Sequence, residues 1–480
     1  YQGNSAVYLP LIRDAIEARV TRFTNMLFPE NEQHVDVVSH DDAKLPQALM
    51  AMLNHYVKKT DLTKLSKELL RNGEVEGHYT LYVDWTETTR YVTRKVEKPV
   101  QLGDGTEDPT QTYFDIEDEE ITEGLPNIEV IPATDLAVYP ATCNDIEKDA
   151  EFVAIARRLT KHKMKQLGRE GIFNKSIVDK LVKQWSESAN AAPMEDIGKK
   201  KIEAAGVKKG GKYALIYEAW RKFKIDGMRR WCRLFFFDQN ICLGFKVNPY
   251  WNDRCPVISK AQTKVVGSFW GKSKVDAVEQ IQYLANDAAN MGMDSAQYSL
   301  MPIIMTDPVE NPNYASMVLS LAAVWQTDPK STQILAFPQL WKEAFAIVES
   351  AKSQIMQSFG LNPAMMPQGS AAKKPSQAQV AQEQAVAIES TANEVTGLEE
   401  AVFTPTLERF FELDQQFREG DLMAQTFGQL GIAAKMMEIP TFAWDNRYSF
   451  RWRGAADPAA DCRLEHLAAV PGQAPRWAQD

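Results

Sequence analysis

The chain has 480 residues, of which 44% are hydrophobic, and 54 Lys or Arg stand against 64 Asp or Glu for a net charge of −10. That length and apolar fraction exclude a disordered chain and allow more than one domain around a sizeable core. The acidic balance excludes a protein that grips DNA by neutralising phosphates, although it suits one that lets the polymer slide without sticking.

No signal peptide is read from Tyr1 onward, and a start without methionine is expected of a trimmed chain. The longest apolar runs, such as Leu321–Trp325, are too short to cross a bilayer, so a soluble protein with no membrane partner is expected. Cys143, Cys232, Cys242, Cys255 and Cys462 form no CxxC pair and are odd in number. They read as free thiols in a reducing cytoplasm.

Leu9, Ile12, Ile16, Val20, Phe23 and Leu27 recur at three- and four-residue spacing and predict a first helix closed by Phe28-Pro29. A second helical stretch runs from about Leu45 to Leu70 and ends at Asn72-Gly73. Tyr79, Leu81, Val83 and Trp85 then alternate with polar neighbours, and Tyr91 to Val100 continues in strand-like chemistry. Residues 104–123 hold nine Asp or Glu and no Lys or Arg, which reads as a solvated loop between strands. Calcium would need a DxDxDG spacing that is missing here.

Ile128–Tyr139 predicts two short strands around Pro-Ala-Thr-Asp. Phe152–Leu167, with Arg157, Arg158, Lys161, Lys163 and Lys165, reads as helix, and 186–212 as an exposed connection. Strands resume at Tyr213–Lys224, Trp231–Phe237 and Ile241–Val247, with Gly227 at a turn. The first half is thus a mixed α+β body.

The second half is helix-rich. Lys272–Leu300 predicts one long helix with Val275, Val278, Ile281, Ala285, Ala288 and Gly292 on one side, small enough for a neighbouring helix to approach closely. Met301–Leu340 is broken by five prolines, and Trp341–Phe359 is helical again. A proline-bounded loop from Asn362 to Pro375 leads into a long helix from Ser376, where Ala381, Ala385, Ile388, Ala392, Val395 and Val402 keep a stripe. Gly397 and Pro405 predict a bend in it. Tyr448–Arg453 is strand-like, and a short alanine-rich tail follows.

Motifs of chemistry are weak. Gly267-Ser-Phe-Trp-Gly271-Lys272-Ser273 falls one residue short of the phosphate-cradling GxxxxGK[ST] loop, and Phe269-Trp270 would crowd its turn. A tight turn before the long helix is its expected use. The acid-ending run Leu234–Asp238 lies upstream of it. His34, His40, His55, His78, His162 and His466 have neither HxxxH nor HExxH spacing, so no zinc site or other metal is expected. Ser370-Ala-Ala-Lys373 matches SxxK without its companion motifs, and no GxSxG is present. No enzyme activity and no cofactor are expected. A packaging ATPase or nuclease would need an intact phosphate loop or a metal-spaced carboxylate cluster, and a structural adaptor without DNA contact is a further alternative.

Four stretches carry a family resemblance. They are Leu69-Leu-Arg-Asn-Gly-Glu-Val-Glu-Gly77 running into the strand that ends at Trp85, Ile131-Pro-Ala-Thr-Asp-Leu-Ala-Val-Tyr-Pro140 followed by Asp149-Ala-Glu-Phe-Val153, Gly267–Ser273 leading into the helix with Gln280, Gln282 and Asn286, and two helices around a proline-broken insert followed by a loop and a long bent helix. In this order they resemble the portal, or head–tail connector, proteins of tailed bacteriophages, over roughly residues 5 to 453. The resemblance implies a helix-rich α+β ring subunit: a wing at 1–271, stem helices at 272–300 and 341–360, and a clip at 301–340. A tunnel loop would occupy 361–375, a long bent helix returning to the wing 376–453, and a short crown-like segment 454–480.

It further implies a homo-oligomer of twelve subunits at one capsid vertex, passing double-stranded DNA without sequence specificity. Terminase, then tail adaptors, would dock on the clip, with major capsid protein and scaffold as neighbours, in the virion and, during assembly, the host cytoplasm. Gln368, Ser370, Lys373 and Lys374 would face the DNA; the plainer reading of the two lysines is solvated loop cations near a helix start. Asp307, Glu310, Asn313, Trp325 and Asp328 would serve docking at the clip. The methionines and aromatics of that insert (Met301, Met305, Met317, Trp325, Phe337) more often mean core than docking surface.

Overall fold

The computed structural model describes residues 5–29, 34–39, 45–101, 107–184, 213–237, 241–300, 303–311, 330–335, 340–361, 391–418, 420, 422–427, 434–439 and 448–454. In chain order the elements are α1 (Leu11–Leu27), β1 (Val35–Ser39), α2 (Leu45–Lys59), α3 (Leu62–Glu76), β2 (His78–Gln101), β3 (Glu107–Val130), β4 (Leu136–Tyr139), α4 (Ile146–Asp149), β5 (Phe152–Thr160), α5 (Lys161–Arg169) and α6 (Lys175–Gln184). Then come β6 (Tyr213–Ile225), β7 (Met228–Phe237), β8 (Ile241–Val247), β9 (Val257–Ala261), α7 (Lys274–Leu300), β10 (Ile303–Thr306), β11 (Thr332–Leu335) and α8 (Trp341–Ser358). A π-helical turn (Glu399–Phe403) leads into α9 (Thr404–Phe417), followed by β12 (Leu422–Phe427), β13 (Ala434–Ile439) and β14 (Tyr448–Trp452). Two compact units result: Tyr1–Phe23 with Ser273–Asn393, and Thr24–Lys272 with Glu394–Asp480.

The larger unit is α+β, as its sequence predicts. Its three-stranded sheet runs β3-β2-β9 and its five-stranded sheet β4-β5-β6-β7-β8, with β1-β14 and β12-β13 as pairs. The five-stranded sheet is antiparallel throughout. On one face Ile216, Phe235 and Leu243 bury against Met164 of α5 and Val178 of α6. Around β14, Trp452 is buried among Phe28, His34 and Phe403, and its indole N–H donates to the Leu27 carbonyl at 3.0 Å.

Three sequence readings are corrected in this unit. The acidic stretch 104–123 is not a loop: from Glu107 it lies in β3, paired with β2 down to Gln101↔Glu107. Ladder hydrogen bonds and bonds such as Thr93 to Asp118 (2.8 Å) hold a strand whose carboxylates alone suggest solvent. Phe152–Leu167 is not one helix. Its first part is β5, where Arg157 and Arg158 point to opposite faces and meet Glu218 and Asp135, and only α5 is helical. The second helix neither runs unbroken nor stops at Gly73. Asp61, in the left-handed region at φ 50, separates α2 from α3. Helix α3 continues to Glu76 and ends at Gly77, whose φ of 77 and N–H bond to the Gly73 carbonyl make a left-handed cap. Gly73 stays inside α3 because the Tyr79 ring occupies the place a Cβ would take.

In the smaller unit α7 and α8 lie side by side. Gly292 of α7 meets Ala344 of α8, where an added Cβ would come within 3.0 Å, so the small residues do bring the helices close. Leu9 packs against Ala288, Ala289 and Val348. It is not part of the first helix, which starts at Leu11 just after Pro10. Between the two helices in sequence, β10 and β11 pair antiparallel from Ile303↔Leu335 to Thr306↔Thr332. Arg19, buried beside Phe23, donates to the Phe359 carbonyl at 2.7 Å and satisfies an orphan carbonyl where α8 ends.

Candidate functional site

The side chains of α7 do two separate things. One face recognises the main chain of residues 5–9, which run antiparallel to it. The Ser5 amide donates to Asp294 Oδ1 (3.1 Å), the Val7 amide to Asn290 Oδ1 (2.7 Å) and the Leu9 amide to Asn286 Oδ1 (3.0 Å). Asn290 Nδ2 returns a bond to the Val7 carbonyl (3.2 Å), and Gln282 Nε2 donates to the Leu9 carbonyl (2.5 Å). Gln282 Oε1 then accepts from the Ile12 amide (3.1 Å), one of the orphan donors that open α1. These positions are four apart on the helix, so they form one row.

The second face is apolar and uncovered. Leu284, Met291 and Tyr298 recur every seven residues, and are 55%, 56% and 39% exposed. Leu340 and Ile347 repeat that spacing and exposure next to and in α8. Of the residues singled out for the insert, Asp307 and Glu310 are exposed in the turn after β10, where Asp307 Oδ1 accepts from the Val309 amide (2.8 Å). Asn311 is buried there and holds Thr306 and Ser331. Asn313, Trp325 and Asp328, and likewise Gln368, Ser370, Lys373 and Lys374, lie outside the described residues.

The Gly267–Ser273 stretch makes the expected turn. Gly267 has φ 76, exposed Val266 precedes it, and the Lys272 amide donates to the Thr263 carbonyl (2.9 Å). Phe269 is buried and stacked on His78. Ser273 and Asp276 close a reciprocal cap on α7: the Asp276 amide donates to Ser273 Oγ and the Ser273 amide to Asp276 Oδ2.

Beside His78 the larger unit has an open pocket of about 580 Å³ lined by Cys143, Glu147, Arg254, Lys260 and Glu400 among others. His78 Nε2 faces the Phe269 carbonyl at 2.9 Å and so carries the proton, leaving Nδ1 to accept from Ser259 Oγ at 3.2 Å. Burial lowers its pKa more than that carbonyl raises it, so the ring is neutral. The Cys143 thiol is pushed up by burial and by Asp149 and Asp145, which keeps it protonated and unreactive.

Glu218 anchors an ionic cluster that the sequence reading missed. It is fully buried and bonded by Arg157, by Arg233 (2.8 Å) and by the Tyr82 hydroxyl (2.7 Å). Burial works to raise its pKa, but Arg233 and Arg157 outweigh it and hold the carboxyl below the usual range. No spacing rule flags it, because its partners come from β2, β5 and β7. Among the described residues no group of three His, Cys, Asp or Glu could hold a metal, and no helix is long and apolar enough to cross a membrane.

The described residues thus hold an α+β body, a close two-helix pair with a small paired-strand insert, and exposed apolar stripes on those helices. The family model described as the phage SU10 portal protein matches residues 1–398. The chain belongs to this family of phage portal proteins, the head–tail connectors, which are structural and not enzymatic. No curated protein matches the chain. Among solved structures, the neck of a native GTA particle, computed with C12 symmetry, is similar with 10% identity and a TM-score of 0.35 over 98% of this chain and 91% of that one.

Proposed function

We propose that this chain is the subunit of a closed ring of about twelve copies at one capsid vertex, through which double-stranded DNA is packaged and ejected. The observation that carries the reading is the uncovered heptad stripe Leu284–Met291–Tyr298 on α7. A stripe on one side of a helix, with the polar ladder occupying another, suits lateral packing of copies around an axis. In this reading α7 and α8 are the stem and residues 301–340 the clip, where terminase and then tail adaptors dock. Residues 361–375 form the tunnel loop, 376–453 the bent helix and its return, and 454–480 a crown-like end. The remainder is a wing beside the major capsid protein and scaffold.

Mass photometry and negative-stain imaging of the purified chain test the ring. The expected species is about 650 kDa, twelve times 54.1 kDa, with a hole wide enough for duplex DNA. A stable dimer with ATPase or nuclease activity would overturn the reading. Lys373→Ala with Lys374→Ala is expected to alter packaging or DNA retention while rings still form, and unchanged packaging would remove those lysines from the DNA path. Deleting 301–340 is expected to abolish terminase and adaptor binding.

A further inference from the structure

β9 pairs with β2 only over His78–Tyr82, whereas β3 pairs with β2 from Leu81 to Gln101. Beyond that short third strand, β2 and β3 therefore continue as a two-stranded ribbon. Such ribbons are marginal alone and gain stability by packing a face on something else. One face of this ribbon has such a surface: Tyr91, Phe114 and Ile116 share it by alternation and register, and are 73%, 69% and 67% exposed. The β3 side is strongly acidic, with eight carboxylates and no Lys or Arg from Glu107 to Glu123.

The five-stranded sheet offers a complementary surface. Its face away from α5 and α6 is built from strands alone: Ala154, Ala219, Cys232 and Leu234 form the middle, and Phe152, Phe223 and Phe236 stay half-buried. Towards the edge strand β8, Phe245 is 53% exposed. At one end of this face Arg221, which lies over the Phe223 ring, and Arg230 are the cations; Lys222, Lys224 and Arg229 alternate to the other face.

We propose that the acidic β2–β3 ribbon of one copy docks its Tyr91–Phe114–Ile116 face on the open, basic-rimmed face of the five-stranded sheet in the next copy; this rests on the ring reading above. An apolar centre with a charged rim of opposite sign on each side is what a specific interface requires. The two surfaces differ, so the contact is head-to-tail, the type that closes rings. It also answers an electrostatic problem: copies of net charge −10 repel one another unless opposite charges meet locally. The chain's own 185–212 segment is the weaker occupant, since its six Lys against four Asp or Glu would add cations to a basic rim.

The test uses the full chain and reads ring yield by mass photometry at low and high salt. Asp118→Lys with Glu120→Lys on the ribbon, and Arg221→Glu with Arg230→Glu on the sheet, are each expected to lower ring yield about tenfold. Combining all four is expected to recover most of the yield, because the complementarity is restored with its signs exchanged. Phe245→Asp supplies the apolar control and is expected to lower yield at both salt concentrations. Rings that form normally in both charge variants overturn the proposal and leave the ring reading intact. So does a Phe245→Asp chain that loses thermal stability as a single subunit yet assembles normally, because the face is then covered within the chain. Loss of duplex-DNA binding by the Arg221/Arg230 variant with ring yield unchanged overturns it too, in favour of a DNA surface. A wild-type chain that never assembles at any salt removes the ring reading, and the proposal with it.

Discussion

Glu399→Gln isolates a single buried acid. Glu399 opens the π-helical turn before α9, is 8% exposed, and its Oε1 has no hydrogen-bond partner among the described residues. Gly454 lies against that carboxyl so closely that no Cβ fits there. Burial raises its pKa to about 7; Arg451 and the Gly454 amide pull down and Glu400 pushes up. A carboxyl raised in the folded state contributes stability that is complete below its unfolded pKa, about 4.3, and is lost as pH climbs through 7. From those two values, linkage costs the fold about 4 kcal/mol by pH 8, of which about 1 kcal/mol is lost between pH 6 and pH 8. Glutamine keeps the shape and cannot ionise. Urea unfolding of the subunit at pH 6 and pH 8 is expected to show the stability difference between variant and parent shifting by about 1 kcal/mol in the variant's favour. A difference constant across that interval would refute the buried, raised carboxyl. Asp84, pushed up to about 6 chiefly by burial, titrates with the same sign in both proteins and cancels in the comparison.

Glu218→Gln is expected to destabilise the subunit by about 3–5 kcal/mol at neutral pH, since it leaves Arg157 and Arg233 without their shared counter-charge, as urea unfolding would show. In the parent that cluster's contribution is complete above the usual carboxylate range and is lost only on strong acidification, because the folded pKa is lowered. Asn290→Leu removes both bonds to Val7, at a cost of about 2 kcal/mol, and hydrogen exchange at the Val7 and Leu9 amides is expected to accelerate while the α8 amides stay protected.

Elements whose pattern is local were legible in the sequence, and those whose partners lie far along the chain were not. The Trp341–Phe359 periodicity closely matches α8, and Val278, Ala285, Ala288 and Gly292 fall on the buried side of α7 as read. β5 was missed because Phe152-Val-Ala-Ile-Ala-Arg-Arg has no polar alternation: its two arginines are neutralised by Glu218, 61 residues away, and Asp135, 23 away. β3 was missed because nine carboxylates outweigh a strand pattern that appears only opposite β2. The α7 ladder was half legible: Gln282 and Asn286 stand in the stretch that carries the family resemblance, yet nothing in a helix's own sequence says that its amides will bind main chain. Pro405 does have a visible effect. The Thr404 amide bonds the Glu399 carbonyl five residues back, widening the helix just before a residue that can donate no bond.

The ladder also sets a limit on its own length. Four residues of helix advance about 6.0 Å, while two residues of extended chain advance about 6.6 Å. The two repeats are incommensurate by roughly half an ångström per rung, so the error passes 1.5 Å after three steps, more than hydrogen-bond geometry tolerates from identical side chains. The composition of the row answers that drift. Two asparagines serve the middle, the longer Gln282 reaches at one end, and at the other Asp294 accepts from both the amide and the hydroxyl of Ser5. A strap of this kind works as a vernier: it defines one alignment of chain on helix, and it could not be lengthened by repetition.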